Sequence, residues 1–410
     1  MGVLYQNIHL SRSVLGRIGR KKVFFLAIII QIIAGLGMAL APNWITYSIL
    51  RAAVGCAHPG IFVIAVVIGM ELVGPSKRKI AAVFTGMFFS FGQVILGAIA
   101  YFVRDYTHLQ AAIALPALLF IAYWWIIPES ARWLVSQKRY AEADAILQRV
   151  ARANKTTLPA QWWDEMELTL NAESPKTEAA IHNRKHNFLD LLRTPKLRKI
   201  SLVAFFCWPV VSMVYYGLSM NPNVLGGNLY VNFIFGGLME IPAVLIVFLL
   251  VDKVGRKPLL AGGYLIASAC ALSSLVLSAD VHWLITLLQF LVAKAAITCT
   301  YATIYTFTPE LFPTVIRNTA MGVCSMMARI GAIMASFIAM WLVEVAGKKA
   351  MIIPFATLGI LAAIMALLFL PETKGLALQE TIEEAEGTSG QHELQPLHSD
   401  GKDGEHVKTK

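Results

Sequence analysis

The sequence predicts an all-α membrane protein built from two similar halves, and three observations lead to this fold class. First, 57% of the 410 residues are hydrophobic and only 15% are charged. A water-soluble core of this size cannot bury so many apolar side chains. Second, the apolar residues form long unbroken runs. Third, three short motifs occur twice, in the same order, about half a chain apart.

Ten apolar runs are long enough to cross a bilayer as helices, because about 18 or more apolar residues span its hydrocarbon core. They are residues 23–41, 44–72, 80–103, 109–127, 200–218, 229–251, 258–278, 283–307, 319–343 and 350–370. The runs predict a partial N-terminal bundle at 23–127 and a C-terminal bundle at 200–370. A charged loop at 128–199 joins the bundles, with a cytoplasmic N-terminus at 1–22 and a cytoplasmic tail at 371–410.

The basic residues predict the orientation of these helices. Of the 35 Lys and Arg residues, 29 fall on one side of the predicted membrane topology. Since basic loops stay on the cytoplasmic side, we expect both termini and the 128–199 loop to be cytoplasmic. The net charge of +10 follows from this asymmetry and does not indicate a nucleic-acid partner.

Three motif pairs indicate that the chain contains two copies of one unit. The pairs are Gly-Arg-Lys at 19–21 and 255–257, the run-closing acids Glu71 and Glu310, and Pro-Glu at 128–129 and 371–372. The second copy has two apolar runs before its Gly-Arg-Lys motif, whereas the first has a short polar segment. Symmetry therefore predicts a parent fold of twelve spans, of which this chain carries the last ten.

Seven short segments are characteristic of one family: 19–21, 124–134, 188–193, 215–219, 226–233, 310–318 and 370–375. Through them the chain resembles the organic cation and carnitine transporters, solute carrier family 22 of the major facilitator superfamily. The likeness runs from about Gly19 to about Glu386. The resemblance implies a major facilitator-type two-bundle fold, with twelve helices minus the first two. The sequence departs from the family in two ways. It lacks the family's first helix, large outer loop and second helix, and it has Gly16 at a position where the family has aspartate.

Charged residues inside apolar runs need a structural or functional reason, because each costs roughly 2.5–3.5 kcal/mol on insertion scales. Arg51 lies near the end of its run and can reach the membrane interface. The resemblance places Glu240, Lys294 and Arg329 near the substrate path. The alternative is a salt bridge that only joins helices, for instance Glu240 with Lys294 or Arg329.

This mixed charge favours a zwitterionic substrate. Arg329 and Lys294 suit a carboxylate, and Glu240 with aromatic rings suits a quaternary ammonium group. The aromatic candidates are Phe62, Trp208, Tyr215, Tyr216, Tyr301 and Tyr305. The alternative for these rings is ordinary helix packing. His58 is the one histidine within a run, and we expect it to be buried for structural reasons rather than to couple protons.

The resemblance also implies a charge cluster that closes the inner gate. Its second-half members are Asp252, Arg256, Glu310 and Arg317, and its first-half members are Arg20, Glu71, Glu129 and Arg132.

The function that we expect is transport of small organic cations or carnitine-like zwitterions by alternating access, in the plasma membrane, with the coupling ion left open. Two alternatives are a transport-incompetent truncated form that modulates a full-length relative, and an organic anion carrier. The chain has no metal-spaced Cys/His cluster, no hydrolase nucleophile motif and no phosphate-binding loop. We therefore expect no enzyme activity, no cofactor and no metal.

Overall fold

The computed structural model describes residues 19–72, 78–159, 162–163, 189–223, 228–276, 282–376, 379 and 382–386. Within these residues the protein is helical and has no strand. Nine helices of this described part are long and apolar enough to cross a membrane. The predicted run 44–72 is also one continuous helix, several side chains of which are not described. The segments 1–18 and 387–410 lie outside the described residues.

The first half contains four long helices, and three short helices follow it. The long ones are α1 (Arg20–Ala39), α2 (Trp44–Leu72), α3 (Arg78–Phe102) and α4 (Tyr106–Ile126). The short ones are α5 (Ala131–Ser136), α6 (Tyr140–Ala153) and α7 (Asp190–Arg193).

Six long helices form the second half. They are α8 (Pro195–Met220), α9 (Leu229–Val254), α10 (Arg256–Val276), α11 (Trp283–Leu311), α12 (Thr314–Ala346) and α13 (Lys349–Phe369). A short helix, α14 (Ile382–Glu386), follows them.

Several helices are longer than the apolar runs that predicted them. α8 begins five residues before its run, because Pro195 fits the first helical turn and the basic residues after it continue the helix. Two helices are also irregular. The middle of α4, Leu115–Ala122, is a 3₁₀ segment, and Phe337–Leu342 in α12 has π-helical hydrogen bonding. Hydropathy detects only the apolar part of a helix, so it predicts neither the polar ends of these helices nor their irregular hydrogen bonding.

The second half packs around one large apolar core. α8 is its central helix and lies against α12, α13 and α11, while α10 packs on α11 and α13. α8 and α12 approach each other closely at Gly331. A Cβ atom there would lie 2.7 Å from the Cα atom of Pro209, so only glycine permits this backbone contact.

The first half has a smaller core, formed where α1 packs on α2 and α4. Its apolar contacts come from Phe24, Ile28, Ile32, Ile64 and Ile68. α3 lies mainly against α9 of the second half. This contact between α3 and α9 joins the two halves and positions polar side chains of α3 beside the acid at the middle of α9.

Candidate functional site

Two opposite charges are paired inside the second half. The ammonium Nζ of Lys294 on α11 lies 2.9 Å from Oε1 of Glu240 on α9. Both side chains are buried, with 2% and 3% of their surface exposed. Because an isolated buried charge is expensive, the pair explains how both residues are tolerated in apolar helices. Of the two salt bridges weighed for Glu240, the one with Lys294 is formed.

Tyr215 on α8 contacts both members of this ion pair. Its hydroxyl donates to Glu240 Oε1 at 2.7 Å, and its ring lies beneath Lys294, with Nζ 3.6 Å from the ring centroid. Lys294 also donates to the hydroxyl of Ser219 at 2.6 Å. The ammonium group therefore contacts a carboxylate, a hydroxyl and an aromatic face.

Two polar residues of α3 reach this cluster from the first half. The Gln93 side-chain amide donates to the two carboxylate oxygens of Glu240, at 3.1 and 3.0 Å. The Ser90 hydroxyl lies 3.5 Å from Oε2 of the same carboxylate. Sequence reasoning missed Gln93. The available signal was an amide side chain in the middle of an apolar run, one turn after a serine.

Five of the six predicted aromatic residues form a continuous cluster beside the ion pair. Their ring centroids are 4.7 Å apart for Trp208 and Tyr305, 5.4 Å for Tyr305 and Tyr301, 5.2 Å for Tyr301 and Tyr215, and 5.3 Å for Tyr215 and Tyr216. The Trp208 indole N–H donates to Thr308 at 3.0 Å. Phe62 on α2 is half-exposed, and no ring contact to these five residues is described for it.

Arg329 on α12 lies at the side of this aromatic cluster. Its guanidinium interacts electrostatically with Tyr301 and Tyr305, and with His58 of α2 in the first half. No ion pair is described for Arg329, and its side chain is exposed. His58 is exposed as well, so the expectation of a buried histidine is wrong. His58 is not among the residues of the small first-half core.

A second set of charges lies at the ends of α1 and α10, where the repeated motifs meet. The Glu372 carboxylate accepts from the backbone N–H groups of Arg256 and Lys257, each at 3.0 Å. Glu129 does the same for Arg20 and Lys21, at 2.9 and 3.1 Å. The Pro-Glu motif therefore caps the helix that the Gly-Arg-Lys motif begins, in both halves.

The glycines of these turns have backbone angles that favour glycine. Gly19 and Gly255 have φ of 101° and 105°. A Cβ atom at Gly255 would lie 2.7 Å from Oε2 of Glu372. The glycine thus supplies both the turn and the space for the capping carboxylate.

Glu372 also accepts from the backbone N–H groups of Thr373 and Lys374, each at 3.0 Å. Partial burial alone would raise the pKa of Glu372. The backbone donors, which include those of Arg256 and Lys257, outweigh it and hold the pKa below its usual value.

Arg256 connects the second-half cap to the predicted inner charge cluster. It lies 3.0 Å from Asp252 and 3.0 Å from Glu310. Arg317 stands apart, because its Nε donates to the backbone carbonyl of Phe312 at 3.3 Å and no acid is described beside it. The side chains of two predicted first-half members, Glu71 and Arg132, lie outside those that the structure describes.

Known proteins are similar to this chain in sequence and in fold. The profile of the family described as "Sugar (and other) transporter" matches residues 11–385. The "Organic cation transporter protein" of Drosophila melanogaster is 41% identical over 370 residues, covering 90% of this chain and 67% of that protein. "Solute carrier family 22 member 2" of Homo sapiens is 34% identical over 370 residues, covering 90% and 64%. This chain belongs to solute carrier family 22 of the major facilitator superfamily.

A solved transporter shows the fold of the family. The inward-open structure of the xylose transporter XylE from E. coli superimposes with a TM-score of 0.70 at 22% identity, covering 95% of this chain and 87% of that one. The predicted all-α major facilitator fold is thereby confirmed. The chain spans about two thirds of the length of the solute carrier family 22 relatives that it matches.

Proposed function

We propose that this protein carries small organic cations or carnitine-like zwitterions across a membrane by alternating access. The observation that carries the proposal is the Glu240 carboxylate, held at the middle of α9 by Tyr215 and Gln93 beside a cluster of aromatic rings. A carboxylate attracts a cation through charge, and tyrosine and tryptophan rings attract it through their faces. The names of the matching relatives support the class of substrate.

Arg329 is the residue that we assign to the opposite end of a zwitterion. Its guanidinium lies beside Tyr301 and Tyr305, within a membrane-spanning helix, and has no described ion-pair partner. A carboxylate bound there would compensate its charge with two parallel hydrogen bonds. The aromatic cluster would then separate a cation subsite at Glu240 from an anion subsite at Arg329.

The inner charge cluster is the proposed gate of this carrier. Arg256 bridges the end of α9 and the end of α11 through Asp252 and Glu310. All three residues belong to the second half, so the gate assignment predicts that these pairs rearrange within that half between the two states of the carrier. The proposal includes cytoplasmic termini and a plasma-membrane location, with residues 1–22 and 371–410 on the cytoplasmic side.

Uptake into cells tests the proposed function. Labelled tetraethylammonium and carnitine would be supplied to cells expressing the chain, with surface abundance measured in parallel. We expect uptake above mock-transfected cells, and loss of most of it in Glu240→Gln. Glu344→Gln is the matched control, because Glu344 is an exposed acid at the far end of α12. Absence of uptake despite delivery to the surface would contradict the proposal and favour a modulator of a full-length relative.

The Arg329 assignment predicts a change of selectivity. Arg329→Asp replaces the anion subsite by a second cation subsite, so the ratio of tetraethylammonium to carnitine uptake should rise. An unchanged ratio would show that Arg329 does not contact the substrate. Preferred uptake of an organic anion by the wild type would favour the organic anion carrier.

A further inference from the structure

The ammonium group of Lys294 occupies the kind of environment that an organic cation requires. It lies 2.9 Å from the Glu240 carboxylate and 2.6 Å from the Ser219 hydroxyl. It also lies 3.6 Å from the centroid of the Tyr215 ring, over its face. A carboxylate and an aromatic face together are the usual partners of an organic ammonium group.

We propose that Lys294 is a tethered cation, which fills the organic-cation subsite when no substrate is bound and must leave Glu240 for a substrate to enter. This inference rests on the proposed function, since it concerns the same carboxylate. It assigns Lys294 the role of a competitor of the substrate cation, whereas the charges in the sequence alone suggest a second carboxylate-binding group or a residue that only joins two helices.

The surroundings of Glu240 distinguish a displaceable cation from a fixed brace. The carboxylate keeps three donated hydrogen bonds when Lys294 is disregarded: one from the Tyr215 hydroxyl and two from the Gln93 amide. These donors come from α8 and α3, whereas Lys294 comes from α11. Departure of the lysine therefore leaves the carboxylate oriented for another cation.

The Lys294 side chain can move its ammonium group away from Glu240 while α11 stays in place. Its charge sits at the end of a flexible four-carbon stem, and rotation about that stem moves the ammonium without moving the helix. The neighbouring rings of Tyr216 and Tyr301 are only partly buried and contact Tyr215 at 5.3 and 5.2 Å. A substrate cation approaching along these rings would reach the Tyr215 face that Lys294 now covers.

A tethered cation has two consequences for transport. A substrate must first displace the lysine, which weakens apparent affinity for simple cations with few other contacts. An empty carrier also keeps Glu240 neutralised, so it can change conformation without an uncompensated buried charge. Lys294 thus favours net transport over strict exchange of one substrate for another.

Binding to the purified full chain tests the inference. Tetraethylammonium affinity would be measured at pH 7.4 for the wild type, Lys294→Met and the control Lys349→Met, a substitution of an exposed lysine at the start of α13. We expect Lys294→Met to bind about tenfold more tightly or better, which corresponds to ~1.4 kcal/mol, and Lys349→Met to match the wild type. A folded Lys294→Met that binds equally or more weakly would overturn the inference.

A second measurement uses only the wild type and so does not depend on the folding of a variant. A small amine-reactive ester would be applied with and without saturating tetraethylammonium, and modified lysines mapped by mass spectrometry. Lys294 is almost fully buried, so displacement by the ligand should increase its modification several-fold while that of Lys349 stays constant. Unchanged or reduced modification would contradict displacement. Failure of the wild type to bind either tetraethylammonium or carnitine would refute the proposed function itself.

Discussion

Replacing Glu372 by glutamine tests whether the Pro-Glu motif stabilises the fold by capping α10. The carboxylate accepts four backbone hydrogen bonds, each at 3.0 Å, from the first turn of α10 and from its own loop. Loss of a helix cap costs roughly 0.5–2 kcal/mol. Glu372 is partly exposed, so solvent screening keeps its charge contribution small. We expect a loss of about 1–2 kcal/mol, which corresponds to a fall of about 1–2 °C in melting temperature for a chain of this length, because the entropy of unfolding is about 2.1 cal/mol/K per residue.

The stability difference between the wild type and Glu372→Gln should depend on pH if the charge of the Glu372 carboxylate causes it. The pKa of Glu372 is lowered in the folded protein, so the carboxylate stabilises the fold above the unfolded pKa of about 4.3. That stability is lost as pH falls through the lowered folded pKa. The melting temperatures of wild type and Glu372→Gln should therefore differ at pH 7 and converge below about pH 4. The assay is thermal unfolding of the purified protein in detergent.

Glu344→Gln provides the matched control, because it removes an exposed acid that has no described capping contact. Its melting temperature should stay within about half a degree of the wild type, since surface substitutions usually change stability by about 0.5 kcal/mol or less. An equal loss in Glu344→Gln and Glu372→Gln, or a loss in Glu372→Gln that persists unchanged at low pH, would refute capping as the mechanism.

Two glycine substitutions test the close contacts of the fold by the same assay. Gly255→Ala should lower the melting temperature, because its Cβ atom would lie 2.7 Å from the capping side chain at a φ of 105°; an unchanged melting temperature would contradict the requirement for glycine in this turn. Gly331→Ala should cost about 1–3 kcal/mol by forcing α12 away from the backbone of Pro209. Gly262→Ala, at a helical position with open space, is the control and should not lower stability.

The sequence predicted the helices because a membrane helix is a local property of composition. Each apolar run corresponds to a helix, whereas the parts of helices beyond the runs and the irregular segments Leu115–Ala122 and Phe337–Leu342 were not predicted. Irregular hydrogen bonding depends on how a helix packs against its neighbours, and hydropathy carries no information on that packing.

The sequence singled out several residues of the candidate site, but it left their pairing open. Charge inside apolar runs singled out Glu240 and Lys294, yet the choice between Lys294 and Arg329 as partner of Glu240 required the directions of side chains on three helices. Gln93 was missed because an uncharged amide does not stand out in a run, although it contacts Glu240 from 147 residues away. His58 was misjudged because burial was inferred from the run rather than from the face of α2 that it occupies.

The contacts between the repeated motifs were likewise not predictable from the sequence. Their spacing revealed two related halves, but the capping of Arg20 and Arg256 by the Pro-Glu carboxylates joins residues 109 and 116 positions apart. A contact of that separation is a property of the assembled bundle. Sequence spacing indicated that the motifs were related and left their physical interaction undefined.

Binding of tetraethylammonium to the purified chain, with and without Glu240, tests the central claim most directly. The account predicts saturable binding by the wild type and by Glu344→Gln, and an affinity at least about tenfold weaker in Glu240→Gln, the factor that corresponds to ~1.4 kcal/mol. Equal affinity in the wild type and a folded Glu240→Gln would contradict the claim that this carboxylate receives the organic cation.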